Sequence, residues 1–279
     1  MNLLQISRTI LLILIISTFG ELKAQDPNSP IALYYNYNKK EIGAFIGIGQ
    51  GYTNGFIQVD CPECEFEKAV GANLRIGGLY EQSDSKFFGF GLFAALNTTQ
   101  LKSSYIQLET VTLQNTKNEK VDASFRNSVT VNLKHFAAGA YVVFKPTKIF
   151  FLQAGASFML PIGSSLIQEK ELLTNTAKLS NGLIVKLAID PTTGNSLVGS
   201  DTKKAILQNS KYPNLGVPVY ADFAAGLELA ASKKVVICPM IEFSLPLLPT
   251  ASVGDNFTVG YWRLSVKVKY NFFESNSDY

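Results

Sequence analysis

The chain has 279 residues, and its 25 basic and 22 acidic side chains give a formal net charge of +3 with a single histidine. A charge this balanced argues against a nucleic-acid partner, because such proteins carry a basic excess. Hydrophobic residues form 47% of the chain, and 21 glycines are mixed with 19 phenylalanines. This composition favours one large β domain over helical structure. After the N-terminal region, no segment approaches the roughly 18 consecutive apolar residues of a membrane helix.

Residues 1–24 are predicted to be an export signal, which is set aside in predicting the fold. Arg8 supplies the positive charge, Ile10–Ile16 form an apolar run, and Ala24 is the small residue before a cut ahead of Gln25. The run is shorter than the ~20 residues of a transmembrane helix, and a retained anchor is the alternative. No cysteine stands directly after the run, so a lipid-anchored N-terminus is not indicated.

Eight later runs alternate apolar and polar residues with a period of two, which is typical of β-strands with two different faces. Most are near the ~9 to 11 residues that a tilted strand needs to cross a bilayer. The apolar stripe lies on even-numbered positions, except in the sixth and seventh runs, where it lies on odd-numbered ones. The predicted strands are Glu41–Gly49, Ala69–Tyr80, Phe87–Asn97, Leu133–Phe144, Ile149–Leu160, Pro218–Ala230, Val235–Leu247 and Phe257–Phe272.

The last run shows the largest contrast between its faces. One face carries Trp262, Leu264, Val266, Val268, Tyr270 and Phe272, and the other carries Arg263, Ser265, Lys267, Lys269 and Asn271. A soluble barrel turns its apolar face inward and does not need a polar interior, whereas a transmembrane barrel does the reverse, with aromatic residues at the rims of its apolar band. The pattern therefore predicts an all-β, antiparallel transmembrane barrel of eight strands.

The connections between these runs alternate between long and short. The gaps are Gln50–Lys68, Glu81–Lys86, Thr98–Asn132, Lys145–Lys148, Ile162–Val217, Ala231–Lys234 and Leu248–Asn256. Transmembrane barrels of bacterial outer membranes have short turns at one end and long loops at the other. The order of lengths therefore supports the predicted topology.

Two of the long gaps contain further patterns. Tyr105–Leu113 and Val121–Leu133 alternate around a polar tip, which predicts that the third and fourth strands protrude as one long hairpin. A membrane hairpin that gives ten strands is the alternative, but both faces are polar there. In the gap after the fifth strand, Ser165–Thr174 is interpreted as a short helix, and Pro191–Asn195 has the composition of a hairpin turn.

The polar face of several strands carries ionisable residues. The interior of an eight-stranded barrel is just wide enough to be filled by side chains, and charges buried there have to pair. Aligning the last two strands brings Glu242 near Arg263. The sequence thus predicts an internal ion-pair network with a structural role, and a proton or solute path is the alternative. Its members are Arg75, Asp222, Glu228, Glu242, Arg263, Lys267 and Lys269.

The remaining candidates predict no catalytic residue, cofactor or metal ion. Cys61 and Cys64 are expected to form a loop disulfide, although half of a zinc site is the alternative. Cys238 is expected to be an unreactive thiol in the barrel wall. His135 lacks the partners of a catalytic triad and is expected to be a hydrogen-bonded structural residue. Pro239 removes a ladder hydrogen bond, which predicts a bulge nearby.

The export signal, eight alternating strands, alternating loop lengths and closing Tyr270–Phe272 segment together resemble the small outer-membrane β-barrel family of Gram-negative bacteria, of the OmpA/OmpX-like or PorT-like kind. The resemblance covers Glu41–Phe272. Tyr270 and Phe272 are similar to the aromatic closing signal that the barrel assembly machinery reads. The tail Glu274–Tyr279 departs from the family, whose members usually end at the aromatic residue.

The resemblance implies an integral outer-membrane barrel at residues 41–273, with periplasmic segments at 25–40 and 274–279. Its expected partners are outer-membrane lipid, the assembly machinery during biogenesis, and an envelope or surface protein. The expected function is non-enzymatic, either structural or exerted through external loops in adhesion or partner binding. A narrow solute channel and an accessory factor of a secretion or envelope-assembly machine are the alternatives.

Overall fold

The computed structural model describes residues 37–57, 66, 68–113, 119–198, 201–251 and 257–276. The predicted export signal and the Cys61–Cys64 pair lie outside these ranges. No helix within the described ranges is long and apolar enough to span a membrane.

The period-two runs fold as β-strands. The strands are β1 Tyr37–Asn54, β2 Val70–Ser83, β3 Phe88–Thr112, β4 Lys120–Phe144, β5 Phe150–Leu172, β6 Thr176–Lys178, β7 Ile184–Ile189, β8 Ser196–Val198, β9 Lys204–Ser210, β10 Val219–Leu227, β11 Leu229–Ala230, β12 Val235–Pro246 and β13 Thr258–Asn276. β1 to β5, β10, β12 and β13 correspond in order to the eight predicted strands.

These eight strands form a closed antiparallel ring in the order β1-β2-β3-β4-β5-β10-β12-β13, with β13 returning to β1. The predicted eight-stranded barrel is therefore confirmed. Gly43 and Gly49 on β1 lie against β13, and a Cβ atom at either position would clash with the carbonyl oxygen of Val268 or Trp262. The glycines of β1 thus allow the close backbone approach that closes the ring.

The outer face of the ring is an apolar belt. On β3 it runs from Phe88 to Leu96 and gives way to Thr98 and Gln100, a length that suits a tilted strand crossing a bilayer. A water-soluble monomer rarely exposes a continuous apolar patch of more than a few hundred Å². The belt includes Ile42, Ile46, Ile48, Leu74, Ile76, Phe88, Phe90, Leu92, Leu96, Phe136, Val142, Phe144, Leu152, Phe158, Phe223, Ile241, Phe243, Leu264, Val266, Val268, Tyr270 and Phe272.

The two ends of the barrel differ. The turn end carries the short connections 84–87, 145–149 and 231–234, and the loop end carries the long ones. β3, β4 and β5 continue beyond the belt at the loop end, and β9 pairs with the extension of β5. We call this four-stranded extension the loop-end sheet; it agrees with the protruding hairpin that was predicted for the third and fourth strands.

The extension of β5 corrects one prediction. Ser165–Thr174 is not a helix, because β5 continues as a strand to Leu172 and pairs with β4 on one side and β9 on the other. The register shifts between Lys134 and His135, where Lys134 pairs with Gly163 and His135 pairs with Pro161. Ile162 is therefore the extra residue of a bulge, which interrupts the period of two and moves the buried positions of β5 from odd to even numbers.

The expected bulge at Pro239 is absent from the described ladders. β12 pairs with β13 in unbroken register from Val235 to Ser244, with Pro239 opposite Val266. On its other side, the ladder stops at the pair of Gly226 with Met240 and resumes in the same register at the pair of Leu229 with Ile237. A gap of two residues in this ladder, rather than a bulge, accommodates the proline.

Deleting Ile162 tests the role of the bulge. The deletion would turn Leu166, Gln168 and Leu172 to the opposite face of the sheet, because one residue reverses the alternation of a strand. We expect the barrel to remain folded, as shown by heat-dependent migration on gels, while trypsin cuts the loop-end sheet faster. Ile162→Ser keeps the residue count and should leave protease resistance unchanged; equal cleavage of both variants would contradict the assignment.

Candidate functional site

An ion-pair cluster fills the interior at the turn end of the barrel. The Lys269 ammonium on β13 contacts the carboxylates of Glu41, Glu81 and Glu228 at 3.1, 2.9 and 2.6 Å. Lys145, in the turn after β4, contacts Glu81 at 3.4 Å and Glu228 at 3.0 Å. Lys269, Glu41 and Glu81 are at most 2% exposed. Five strands or turns are thus tied together by opposite charges that water barely reaches.

Aromatic rings share the stabilisation of the cations in the middle of the interior. Arg75 lies 4.0 Å from Glu242, and its guanidinium carbon lies 4.4 Å from the ring centroid of Phe93. Lys267 donates a hydrogen bond to Gln153 and lies 4.6 Å from the ring centroid of Tyr141. Cation–π contacts of this kind are stronger when the cation is removed from water. A cavity of about 20 Å³ lies between these groups, room for about one water molecule.

Neutral polar groups bind the arginine nearest the loop end. Arg263 is fully buried, and its guanidinium donates to the amide oxygens of Asn73 at 2.5 Å and Asn97 at 3.4 Å. It also donates to the Ser244 hydroxyl at 3.0 Å, which in turn donates to the Asp222 carboxylate at 2.5 Å. The Ser244 hydroxyl therefore bridges the Arg263 guanidinium and the Asp222 carboxylate.

A hydrophobic cluster closes the loop end above these layers. Loop residues pack against residues of the strands, and the rings of Tyr212 and Phe257 stack with centroids 5.3 Å apart. Phe66 lies 5.2 Å from Tyr105 on β3. The cluster includes Ile57, Phe66, Leu101, Val129, Val131, Leu133, Leu166, Tyr212, Tyr220, Ala251, Phe257 and Tyr261. Both ends of the described interior are thus filled by side chains.

All seven ionisable residues singled out in the sequence face the interior, but their contacts differ from the simplest pairing. Glu242 and Arg263 are direct cross-strand neighbours, yet the cation within 4.0 Å of Glu242 is Arg75. Glu242 also accepts a hydrogen bond from Ser265 at 2.9 Å. Instead of a ladder of direct ion pairs, the interior has contacts in which carboxylates, aromatic rings and amides all bind the cations.

Several residues of the interior were missed by the sequence reasoning. Glu81 and Lys145 were assigned to turns, although the structure places both in the cluster around Lys269. Glu41 stands on the odd-numbered face of β1, opposite the apolar stripe. Asn73 and Gln153 also stand on odd-numbered, inward positions. Applying the inward–outward alternation of the strands to neutral residues, and to residues next to the turns, would have identified all of these interior residues.

The other residues singled out in the sequence belong to the wall of the barrel. Cys238 is a free, buried cysteine that alternation places on the inner face of β12. His135 is fully buried opposite Asn97, and neither ring nitrogen has a hydrogen-bond partner among the described residues, contrary to expectation. Tyr270 and Phe272 are 44% and 48% exposed on the belt. The described residues contain no cluster of three or more His, Cys, Asp or Glu side chains that would hold a metal ion.

The loop-end sheet has a hydrophobic core of its own, which we call the loop-end core. β6, β7 and β8 form a small sheet whose residues pack against the extensions of β4 and β5. The core consists of Leu113, Ala123, Phe125, Leu172, Leu179, Leu187, Ile189 and Ala205. Lys170 reinforces it by pairing with Glu109 at 2.6 Å and by lying 4.2 Å from the ring centroid of Phe125.

The connection between β7 and β8 is a tight hairpin, as predicted around Pro191–Asn195. Ile189 pairs with Ser196, and Gly194 has a positive φ of 72°. Asp190 accepts hydrogen bonds from the Thr192 hydroxyl at 2.6 Å and the Thr192 backbone N–H at 2.8 Å. These bonds lower the pKa of Asp190 to about 2. The charged carboxylate that holds the turn therefore persists into acidic solution.

Comparisons with known proteins found similarity of structure but not of sequence. No protein-family model matches the sequence, and no curated protein matches it. The attachment invasion locus protein Ail of Yersinia pestis is 13% identical, with 83% of this chain and 99% of Ail covered and a TM-score of 0.32. Neisserial surface protein A is 12% identical, with 84% and 97% covered and a TM-score of 0.34. The outer membrane protease OmpT of Escherichia coli is 6% identical, with 84% and 97% covered and a TM-score of 0.33. Similarity at this level carries no functional assignment.

Replacing Lys269 tests the turn-end cluster. Lys269→Met removes the cation shared by Glu41, Glu81 and Glu228 and leaves buried carboxylates short of a partner. We expect the free energy of unfolding to fall by about 3–5 kcal/mol, the usual effect of breaking a buried pair. Urea unfolding of the barrel in detergent measures it.

Lys233→Met is the control for this experiment. Lys233 lies exposed in a turn, so its loss should change the unfolding free energy by no more than about 0.5 kcal/mol. Adding Glu81→Gln to Lys269→Met should restore part of the loss, because it removes one of the uncompensated charges. An unchanged unfolding midpoint for Lys269→Met would show that the cluster does not stabilise the barrel.

Proposed function

We propose that the protein is an integral outer-membrane barrel with a closed interior that binds a partner at the cell surface through its loop-end sheet. In the proposed orientation, which is the usual one for such barrels, the turn end faces the periplasm and the loop end faces the outside of the cell. The chain acts as a binding or structural protein and not as an enzyme. Within the interior, the register partners of His135 are Asn97 and Pro161, neither of which can act as a nucleophile or carboxylate orienter.

The observation that carries this proposal is the loop-end core. Long loops without a core of their own would be flexible and costly to order on binding. Here β3, β4 and β5 run without interruption from the belt into a sheet that buries apolar residues on one side. A preformed surface of this kind is held in a fixed orientation on the barrel, which reduces the entropy lost on association.

The loop-end sheet exposes apolar side chains that a partner would cover. Ile106 and Leu108 on β3 are 64% and 67% exposed, and they lie on the face opposite Tyr105. Beyond the pair of Val70 with Lys102, no described strand pairs with this edge of β3. Sheet edges that carry exposed apolar side chains are recurrent sites of strand addition by extended segments.

Crosslinking in intact cells tests the surface role. A photoreactive residue at Leu108 should link to one discrete protein or glycan of the envelope or of a neighbouring cell, and Ile106→Glu should abolish that product. A photoreactive residue at Leu96, within the belt, is the matched control and should link to lipid. If Leu108 yields no product other than lipid or self-links, surface binding through this edge is wrong.

Conductance separates the closed barrel from the channel alternative. The cavity between Arg75, Gln153 and Lys267 has room for about one water molecule, and the two ends of the described interior are filled. We expect purified protein in planar bilayers to give no discrete conductance steps in molar salt. Regular single-channel steps from the folded, heat-modifiable form would favour a solute channel and contradict the closed interior.

A further inference from the structure

The outer face of the barrel has a groove of about 530 Å³ that starts close to the turn end. It crosses β3, β4, β5, β10 and β12, and alternation places its apolar lining on the belt. The floor consists of the small residues Ala154 and Ala225. The walls are larger, and they are formed by Phe88, Val142, Phe144, Leu152, Phe223, Ile241 and Phe243.

Strand register explains the groove. Ala154 pairs directly with Val142 on one side and Phe223 on the other. Ala225 likewise lies between Leu152 and Ile241. Each of the two alanines is therefore flanked by larger side chains on both neighbouring strands. The result is an apolar depression at the two alanines, which a flexible hydrocarbon chain would fill.

Basic residues border the groove at the turn end. Phe88 and Phe144 are in contact there, with tilted rings whose centroids lie 5.1 Å apart. Lys86 precedes Phe88 by two residues, and Lys148 lies in the turn that follows Phe144; both side chains are exposed. Lys145, in the same turn as Lys148, faces Glu81 and Glu228 inside the barrel instead.

The two turns at the groove carry more exposed basic than acidic side chains. The acidic residue there is Asp84, which accepts a hydrogen bond from Gln82 at 2.8 Å. Lys86 and Lys148 thus give a net positive charge at the level where the belt ends. Lysine side chains at such a boundary extend toward phosphate groups while their methylene stems contact apolar surface.

We propose that this groove binds one glycerophospholipid with an anionic headgroup from the leaflet at the turn end. One acyl chain lies over Ala154 and Ala225 between the phenylalanine walls, and the phosphate is held by Lys86 and Lys148. The inference rests on the proposed membrane location. A second copy of the chain fits less well, because a symmetric contact across this groove would bring the lysines of both copies together.

Selective fluorescence quenching tests this site. Trp262 is the single tryptophan, so Trp262→Phe with Phe88→Trp places the only indole reporter at the groove. The variant is reconstituted in phosphatidylcholine vesicles that contain a small fraction of brominated-chain lipid. We expect brominated phosphatidylglycerol to quench the emission of this groove reporter several-fold more than brominated phosphatidylcholine at the same mole fraction.

Three further variants locate the selectivity. Lys86→Glu with Lys148→Glu should remove the preference for phosphatidylglycerol. Lys40→Glu is the matched control, because Lys40 lies on β1, on the opposite side of the ring from β4 and β5, and should keep the preference. Ala154→Leu fills the floor of the groove without changing charge and should weaken the preference. Full selectivity in Ala154→Leu would overturn the placement of the chain.

The unmodified protein distinguishes failure of this site from failure of the membrane location. Trp262 faces outward on the belt, opposite Phe243, so any brominated lipid should quench it if the barrel spans the bilayer. Quenching of Trp262 with equal quenching of the groove reporter by both lipids would overturn the lipid site alone. If Trp262 is not quenched, the proposed membrane location is itself wrong. If neither lipid quenches the groove reporter and copies of the chain can be crosslinked to one another, the groove is instead a contact between two copies.

Discussion

The structure depends on the requirement that a strand surrounded by hydrocarbon must satisfy every backbone hydrogen bond within the protein. The ring β1-β2-β3-β4-β5-β10-β12-β13 meets it, because each of its strands has a neighbour on both sides. The approach of Gly43 and Gly49 to β13 completes the ring. Closure then decides the rest of the arrangement: with the apolar residues turned outward, every second side chain is confined to a narrow interior and must find its partners there.

Those partners change with depth along the barrel. At the turn end, the Lys269 ammonium has three carboxylates within 3.1 Å. In the middle, Arg75 and Lys267 lie against aromatic rings, and Arg75 also pairs with Glu242. Near the loop end, Arg263 binds amides and a hydroxyl and lies 4.6 Å from the ring centroid of Tyr261. A path for ions needs water or exchangeable partners along its whole length, whereas each of these cations is in contact with fixed, buried side chains. The described interior is therefore a set of buried contacts that tie neighbouring strands to one another.

The sequence predicts most of the fold because alternation in a transmembrane barrel separates lipid from polar contacts. That contrast identified eight strands and placed Arg263, Lys267 and Lys269 inside. It failed where a single residue alters the pattern. The bulge at Ile162 hid the continuation of β5, and Pro239 is accommodated by a gap in the neighbouring ladder. The predicted list of residues in the ion-pair network was also incomplete. Glu81 and Lys145 stand at the ends of strands, where the sequence alone does not distinguish a strand from a turn, and only the fold brings them together.

The same bulge explains how one chain supports both a membrane barrel and an external sheet. β5 pairs with β10 through residues 150–158, and with β9 through residues 166–171. The strand thus exchanges one neighbour for another just beyond Ile162, where the belt ends. The extra residue turns Leu172 toward the loop-end core, alongside Phe125 of β4. Because β5 and β4 remain continuous across this point, the loop-end sheet has no hinge at its base, and the orientation of any surface it presents is fixed by the barrel wall itself.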